Sequence, residues 1–505
     1  MVFNVLSSTY IGTESQLVTV ETTIQNSLPC IKIVGLPNKA VEDAKERVLP
    51  AIKSAGVTLK PQRITVNLAP SDIPKRGSSM DLPIALSIIG SYNKLPQSFF
   101  KDKLFIGELG LDGSIRKTTG VFQAIDLLKS SNYKYLVLPL ENKRDLKVIR
   151  NFDDRIILVQ SLNEILQWTH RTKTILPYKS NTSVVTTKHI PQYYNLIATN
   201  EHIKRTITIA VAGRHHLLMI GPPGTGKTLT AKVLPELSPK LSSNEVYNLA
   251  KVYSIIYKNL PIEIINRNTP FRSPHHTASY TSIIGGGTFP VPGEISLAHK
   301  GILFLDEFPE FSLKTINALR EPLEEKQITI TRTRQRVIFP CDFQLVAALN
   351  PCPCGYYNDP DHKCTCTNQQ IKHYQNKISP IILDRIDLST YLRRPKIHDL
   401  YKDPINDFMN VRAKIQRTRN IQKFRFRNTT IKLNCEMSLE QIKAYCKFTL
   451  KSQQLLDDAY YKLSLSPRSY IKIIRVAQTI ADLEKSSKIK SRHVIESLRY
   501  RISEQ

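Results

Sequence analysis

The octapeptide Gly221-Pro222-Pro223-Gly224-Thr225-Gly226-Lys227-Thr228 constrains this chain more than any other feature, because it fits the phosphate-loop pattern G-x-x-x-x-G-K-[ST] in its required setting. The apolar run HLLMI precedes it and the helix-like LTAKVL follows. A strand, a glycine turn and a helix in that order form the phosphate-binding corner of an open α/β sheet. The glycines allow torsions that turn successive N–H groups onto phosphate oxygens, and the positive end of the following helix adds to the attraction. Lys227 supplies a mobile positive charge for the outer phosphates, and the Thr228 hydroxyl is placed to ligate magnesium.

A second apolar run, ILFLDE, ends in Asp306 and Glu307. Two carboxylates at the carboxyl end of a strand lie where ligands bind in such a sheet. Asp306 is expected to hold magnesium and Glu307 to orient and polarise the attacking water, a division needed because the metal must be fixed while the water is activated. A third run, FQLVAALN, ends in Asn350, whose amide can hydrogen-bond the γ-phosphate or the lytic water; an asparagine turn is the plainer alternative. Strands alternating with helical stretches over 193–395 predict a doubly wound, parallel-sheet α/β core that hydrolyses ATP with Mg2+.

At 505 residues the chain exceeds one hydrophobic core, so further domains are expected. Residues 1–170 alternate β-like runs (QLVTVETTI, IKIVGL, RITVNLAP, YLVLPL, RIILVQ) with helix-like Lys39 to Ala55 and Asp81 to Ile89, predicting a separate α/β domain. Residues 171–192 are polar without a period and read as a linker. Residues 396–505 predict a helical domain, with amphipathic segments at Leu439 to Lys451, Ser452 to Leu463, Pro467 to Leu483 and Ser491 to Ile502.

With 41% hydrophobic and 23% charged residues the composition is that of a globular chain. No run has the length of a membrane span and the start lacks the features of a secretory signal, so a cytoplasmic protein without membrane contact is expected. The formal charge of +28 favours a polyanionic partner, although a lysine-rich solvated surface gives the same number.

Of eight cysteines, Cys352, Cys354, Cys364 and Cys366 cluster as C-x-C-x9-C-x-C within loop 351–367. Four thiolates make a closed tetrahedral zinc site that would stiffen the loop after Asn350; reduced thiols in a mobile loop are the alternative. His362 reads as a loop histidine, and Cys30, Cys341, Cys435 and Cys446 as packing residues.

Taken in order, FRSPHHTASYTSIIGGG, FPVPGEISLAHKGILFLDEFPEF, FQLVAALNPCPCG and ILDRIDLS resemble the magnesium-chelatase-like AAA+ ATPases of the ComM (YifB) family, over nearly the whole chain. Spacing alone does not separate Arg385, in LDRID, or Arg468, in LSPRSYIKIIRVAQ, from surface arginines. The resemblance implies that Asn350 is a γ-phosphate sensor, that Arg385 is a finger in the neighbouring subunit's site, and that Arg468 is a second sensor in a helical lid. A finger acting in trans implies a ring, a homo-oligomer that is most often hexameric. The resemblance also implies DNA branch migration and helicase activity in recombination of incoming DNA. ITITRTRQRVIF is compatible with that, as a hairpin projecting Arg332, Arg334 and Arg336 toward DNA in a central pore; a solvated hairpin face is the alternative. The glycine-rich SIIGGGTFPVPGE is a second pore candidate.

The first domain is similar to the peptidase domain of Lon proteases, through RITVNLAPSDIPKRGSSMDLPIAL and GELGLDGSIRKTTG. Ser79 falls near that family's nucleophile, but its catalytic lysine falls on Ala124, so the resemblance implies a non-peptidase scaffold or DNA-handling domain. The competing function is a magnesium-chelatase-type or protein-remodelling ATPase.

Overall fold

The computed structural model describes residues 2–75, 77–149, 153–179, 191–197, 200–332, 335–394 and 407–501. Half of the expected linker, residues 180–190, lies outside them, as does Arg334.

The first sheet has seven strands. Its strands are β1 (Phe3–Ile11), β2 (Glu14–Gln25), β3 (Cys30–Val34), β4 (Arg63–Ala69), β5 (Lys103–Phe105), β8 (Tyr135–Pro139) and β9 (Ile156–Val159), and between β5 and β8 the chain forms the small pair β6 (Glu108–Leu109) and β7 (Ile115–Arg116). They lie in the order β3-β4-β2-β1-β5-β8-β9. β1 and β2 pair antiparallel from Phe3↔Thr22 to Ile11↔Glu14, while β5, β8 and β9 run parallel. The mixed sheet buries one face under the helices Ala44–Ser54 and Asp81–Ser91. The stretch expected as one helix from Lys39 to Ala55 is two, Lys39–Glu42 and Ala44–Ser54, broken at Asp43. Asp81 is fully buried and takes a bidentate pair from Arg47 at 2.7 and 3.0 Å, which ties the two longer helices together.

The central sheet is built from β10 (Leu217–Ile220), β11 (Phe271–Arg272), β14 (Ile302–Leu305), β17 (Gln344–Leu349) and β18 (Leu388–Tyr391), in the order β11-β14-β17-β10-β18. Every neighbour pair in it is parallel. Parallel strands covered on both faces must be apolar throughout, and β14 and β17 are buried at every position. The helices Glu201–Gly213 and Lys227–Leu237 cover one face. The other face packs against the hairpin β15 (Gln327–Arg332) and β16 (Gln335–Pro340) and against the segment carrying the short pair β12 (Gly285–Gly286) and β13 (Val291–Pro292). This is the mixed α/β architecture with a parallel core sheet that the sequence predicts.

Helices follow from Phe408 onward: Phe408–Arg425, Leu439–Tyr445, Leu450–Lys462, Pro467–Leu483 and Ser491–Arg499. The amphipathic stretch expected from Leu439 to Lys451 stops six residues short. Phe448 bridges to Ile489, and Thr449 begins the next helix with a capping box to Ser452, so the boundary lies before Leu450 rather than after Lys451.

The first sheet shares a core with a helix of the nucleotide-binding region. Phe122, Val121 and Ile125 of the helix Val121–Ser130 pack with Val246, Leu249 and Tyr253 of the helix Ser243–Ile256. At roughly 1.5–3 kcal/mol for each large apolar side chain buried, this contact outweighs any single polar one. Polar links add direction: Tyr247 donates to Asp126 Oδ1 at 2.6 Å, and Lys117 bridges Asp145 at 2.6 Å and Asn259 at 2.9 Å.

Candidate nucleotide-hydrolysis site

Parallel strands deliver their successors to one edge. In register, Ile220 of β10 lies opposite Leu349 of β17, and Leu305 of β14 lies opposite Ala347. The phosphate loop, the Asp306–Glu307 pair and Asn350 therefore emerge side by side at the carboxyl edge of the sheet.

Gly226 caps the helix Lys227–Leu237 with φ 80°, a conformation that glycine adopts without strain. A Cβ at Gly224 or at Gly226 would meet nothing within 4 Å, so the space beside both glycines of the loop is open. The Lys227 ammonium reaches Gly221 O at 2.7 Å, Pro222 O at 2.9 Å and Asn350 Oδ1 at 2.9 Å. Burial lowers its pKa, and Asp306 and Glu307 oppose that shift. Thr228 donates to Asp306 Oδ2 at 2.6 Å, so two hard oxygen ligands converge and suit Mg2+. Asp306 Oδ1 also accepts from the Glu307 amide at 3.0 Å.

Glu307 itself stands in the left-handed region at φ 50° and carries a half-exposed carboxylate. Its partner is His276, Nδ1 to Oε2 3.1 Å. His276 lies outside the motifs that mark the nucleotide site in the sequence. The available signal was its place in FRSPHHT, directly beyond β11, the strand that pairs with β14.

Arg385 and Arg468 are brought together, away from the phosphate loop's own contacts. Arg385 pairs with Glu324, and its Nε is buried with no hydrogen-bond partner among the described residues. Arg468 Nη1 lies 3.4 Å from Asp384 Oδ2, with Lys472 3.7 Å from the same carboxylate. Burial lowers the Arg385 guanidinium to about 10, and the charges of Arg468 and Arg320 add to the shift. A cavity of about 150 Å3 beside them is lined by Arg214, Asp384, Arg385, Arg468, Lys472 and Arg475.

Cys352, Cys354, Cys364 and Cys366 place their sulfurs within 4.8 Å of one another. The Sγ···Sγ distances of 3.3 Å (Cys352–Cys354), 3.7 Å (Cys352–Cys364) and 3.5 Å (Cys354–Cys364) are close to the roughly 3.8 Å edge of a tetrahedron with 2.3 Å zinc–sulfur bonds. Backbone N–H groups point at two of the sulfurs, Tyr357 N to Cys352 at 3.3 Å and Cys354 N to Cys366 at 3.4 Å. The chemistry and spacing fit zinc. His362 stacks on Tyr356 at 4.9 Å instead of joining the cluster. Cys341 and Cys446 are buried packing residues, whereas Cys30 is exposed at the start of β3, contrary to the packing role expected of it. The loop leans on the nucleotide site: a Cβ at Gly355 would come within 2.6 Å of Pro223 Cδ.

The expected hairpin is present, pairing from Gln327↔Pro340 to Arg332↔Gln335. Ile328, Ile330, Val337 and Phe339 are buried, and Arg332 and Arg336 are exposed. Arg332 reaches the glycine-rich segment, its Nη2 3.5 Å from where a Cβ on Gly286 would stand. The described residues contain no helix long and apolar enough to cross a membrane.

Comparison with known proteins gives the family. Residues 194–400 match the family described as Magnesium chelatase, subunit ChlI, residues 20–142 match Subunit ChlI of Mg-chelatase, and residues 407–501 match Magnesium chelatase, subunit ChlI C-terminal. Competence protein ComM of Haemophilus influenzae is 38% identical, over 98% of this chain and 97% of its own length. The uncharacterized protein YifB of Escherichia coli is 36% identical, over 97% of this chain and 95% of its own. DNA replication licensing factor mcm-6 of Caenorhabditis briggsae is 21% identical over 56% of this chain and 32% of its own length. With a phosphate loop, a paired acidic turn and a parallel core sheet in place, and with relatives matched from end to end, the chain belongs to the ComM/YifB family of magnesium-chelatase-like AAA+ ATPases.

Proposed function

We propose that this ATPase is a ring-forming motor that moves on DNA, acting in branch migration or unwinding during recombination of incoming DNA. The observation that carries the reading is the meeting of Arg332 with Gly286, which sets the exposed arginines of the basic hairpin, Arg332 and Arg336, beside the glycine-rich segment. Arginines there contact phosphates without reading sequence, and the +28 charge of the chain suits a polyanion. Arg334, two residues after Arg332 in the sequence, is a third candidate for the same phosphate contacts.

Within each site, Gly221 to Thr228 hold the triphosphate, Thr228 and Asp306 hold Mg2+, Glu307 polarises water and Asn350 senses the γ-phosphate. The magnesium ion supplies charge neutralisation at the phosphate oxygens. Arg385, drawn into one cluster with Arg468, serves as a finger in the site of the next subunit, and Arg468 is a second sensor in the lid, so a hexameric homo-oligomer is the working form. The four cysteines hold a structural zinc ion. Residues 1–170 form a Lon-like scaffold without peptidase chemistry, residues 171–192 a linker, and residues 396–505 the lid of the 193–395 core. The protein works in the cytoplasm.

The test is steady-state ATP turnover with single-stranded, duplex and branched DNA at low and moderate salt, with Lys227→Ala as the blank. DNA stimulation that fades with salt and is absent from the blank supports the motor. Basal turnover unaffected by any DNA favours the chelatase-type or protein-remodelling ATPase suggested by the matched family's description.

A further inference from the structure

We infer that His276 is the positioning residue of the hydrolytic step, the group that aims the Glu307 carboxylate. This rests on the assignment of Glu307 as the residue that polarises water. The geometry is built from both sides. Glu307 leaves the end of β14 in the left-handed conformation, φ 50°, which an L-residue adopts at some cost unless its surroundings hold it there. Its backbone is fixed by the 3.0 Å bond from its amide to Asp306 Oδ1, and its side chain by the 3.1 Å contact with His276 Nδ1.

His276 is held in turn. Its ring lies 4.2 Å from the His275 ring and meets the edge of Phe311 at 6.5 Å, with an interplanar angle of 82°. His275 is pinned by its own turn, Nδ1 accepting from the Thr277 amide at 3.3 Å. A carboxylate on Nδ1 selects the tautomer that carries its proton there, which leaves Nε2 as the acceptor nitrogen in the neutral ring. A carboxylate with no such partner would sweep through its rotamers over an exposed edge, since Glu307 is 55% exposed at the side chain.

Position along the chain gives the contact a second consequence. The histidine sits between β11 and the helix Tyr280–Ile284, which runs directly into the glycine-rich pair β12–β13. The element that aims the carboxylate and the element that meets Arg332 are therefore one continuous segment.

The experiment compares His276→Ala, His276→Asn and Glu307→Gln in the full chain, reading kcat, KM and nucleotide affinity. His276→Ala is expected to lower kcat about tenfold to a hundredfold, as loss of an orienting partner does, with ATP affinity unchanged. His276→Asn keeps an N–H donor at the Nδ1 position and should recover most of the rate, which a merely structural histidine would not predict. Wild-type turnover in His276→Ala beside an inactive Glu307→Gln overturns the inference alone. Full turnover in Glu307→Gln removes Glu307 from its role, and the inference with it. An asparagine variant as slow as the alanine one, or loss of ATP affinity in step with kcat, also overturns it.

Discussion

The Lys227 ammonium lies 2.9 Å from Asn350 Oδ1, so the phosphate-loop lysine and the asparagine that ends β17 are already joined across neighbouring parallel strands. The amide oxygen is spent on the lysine, and this leaves the Asn350 N–H groups as donors toward a substrate oxygen. The two residues should consequently fail differently. Lys227→Ala is expected to abolish ATP binding. Asn350→Ala should bind ATP within a few-fold of the parent and turn it over on the order of 10²–10³ more slowly, as loss of one preorganised donor does. Nucleotide titration beside steady-state turnover separates the outcomes, and equal loss of affinity in both would refute the sensor role.

Arg385 stands beside Arg468 in a cluster that does not include Lys227, which fits the service of Arg385 to a neighbouring site. Arg385→Ala is expected to cut turnover by about 10³ or more while leaving ATP binding intact. Mixing it with Lys227→Ala protein gives the sharper reading. In a ring, a Lys227→Ala subunit can lend its intact Arg385 to a neighbour with a working phosphate loop, so the mixture should regain activity that neither variant has alone. A mixture as inactive as its parts would place the arginine in its own subunit's site.

Much of the core was legible from the chain because its signals are local. The phosphate loop, Asp306 and Asn350 each follow an apolar run directly, and a parallel sheet delivers every such run to one edge, so sequence adjacency translates into spatial adjacency. The contacts that were not legible are those made across elements. His276 lies 31 residues from Glu307 by number, and nothing in a lone Pro-His-His marks which carboxylate it meets. The pairing of Arg385 with Glu324 and the seating of Gly355 on Pro223 likewise depend on how loops return to the sheet. β1 carries a weak strand signal because Phe3–Ile11 mixes serine and threonine with its apolar residues, and its neighbour β5 is three residues long. The break before Leu450 was hidden by amphipathic flanks, since Thr449 and Ser452 read as ordinary polar helix positions until they cap one another.

The cysteine loop should bind one zinc ion per chain and transmit its loss to nucleotide binding. Gly355 faces Pro223 at a distance that excludes any side chain, so displacement of the loop moves the wall of the phosphate loop. Metal analysis of protein purified without added zinc checks the first half. For the second, stripping the metal with a chelator, or Cys364→Ser, should lower the unfolding temperature and weaken ATP binding together. A full-strength ATP affinity in metal-free protein would uncouple the loop from the site.

Acid sensitivity follows from a buried histidine behind the central sheet. His299 is 6% exposed, and its Nδ1 accepts from the Asp342 amide at 3.1 Å, a bond that only the unprotonated nitrogen can make. Burial lowers its pKa to about 3; Lys300 and Arg214 push the same way, while Asp342 and Glu245 oppose them. The unfolded chain takes up this proton near its ordinary pKa of about 6.5, whereas the folded chain refuses it until about 3. Above that upper limit both states are neutral and His299 costs nothing; below it the unfolded state gains a proton, so stability falls as pH falls. The slope is about 1.4 kcal/mol per pH unit for one such proton. His216, lowered by burial to about 4 and accepting at Nδ1 from the Leu345 amide at 2.9 Å, adds a second loss of the same sign. Urea unfolding at pH 7, 6 and 5 should show this decline, and His299→Asn, whose Oδ1 can accept the Asp342 amide without titrating, should make it shallower by about one proton's share. An unchanged slope in that variant would show that His299 does not resist protonation in the folded protein.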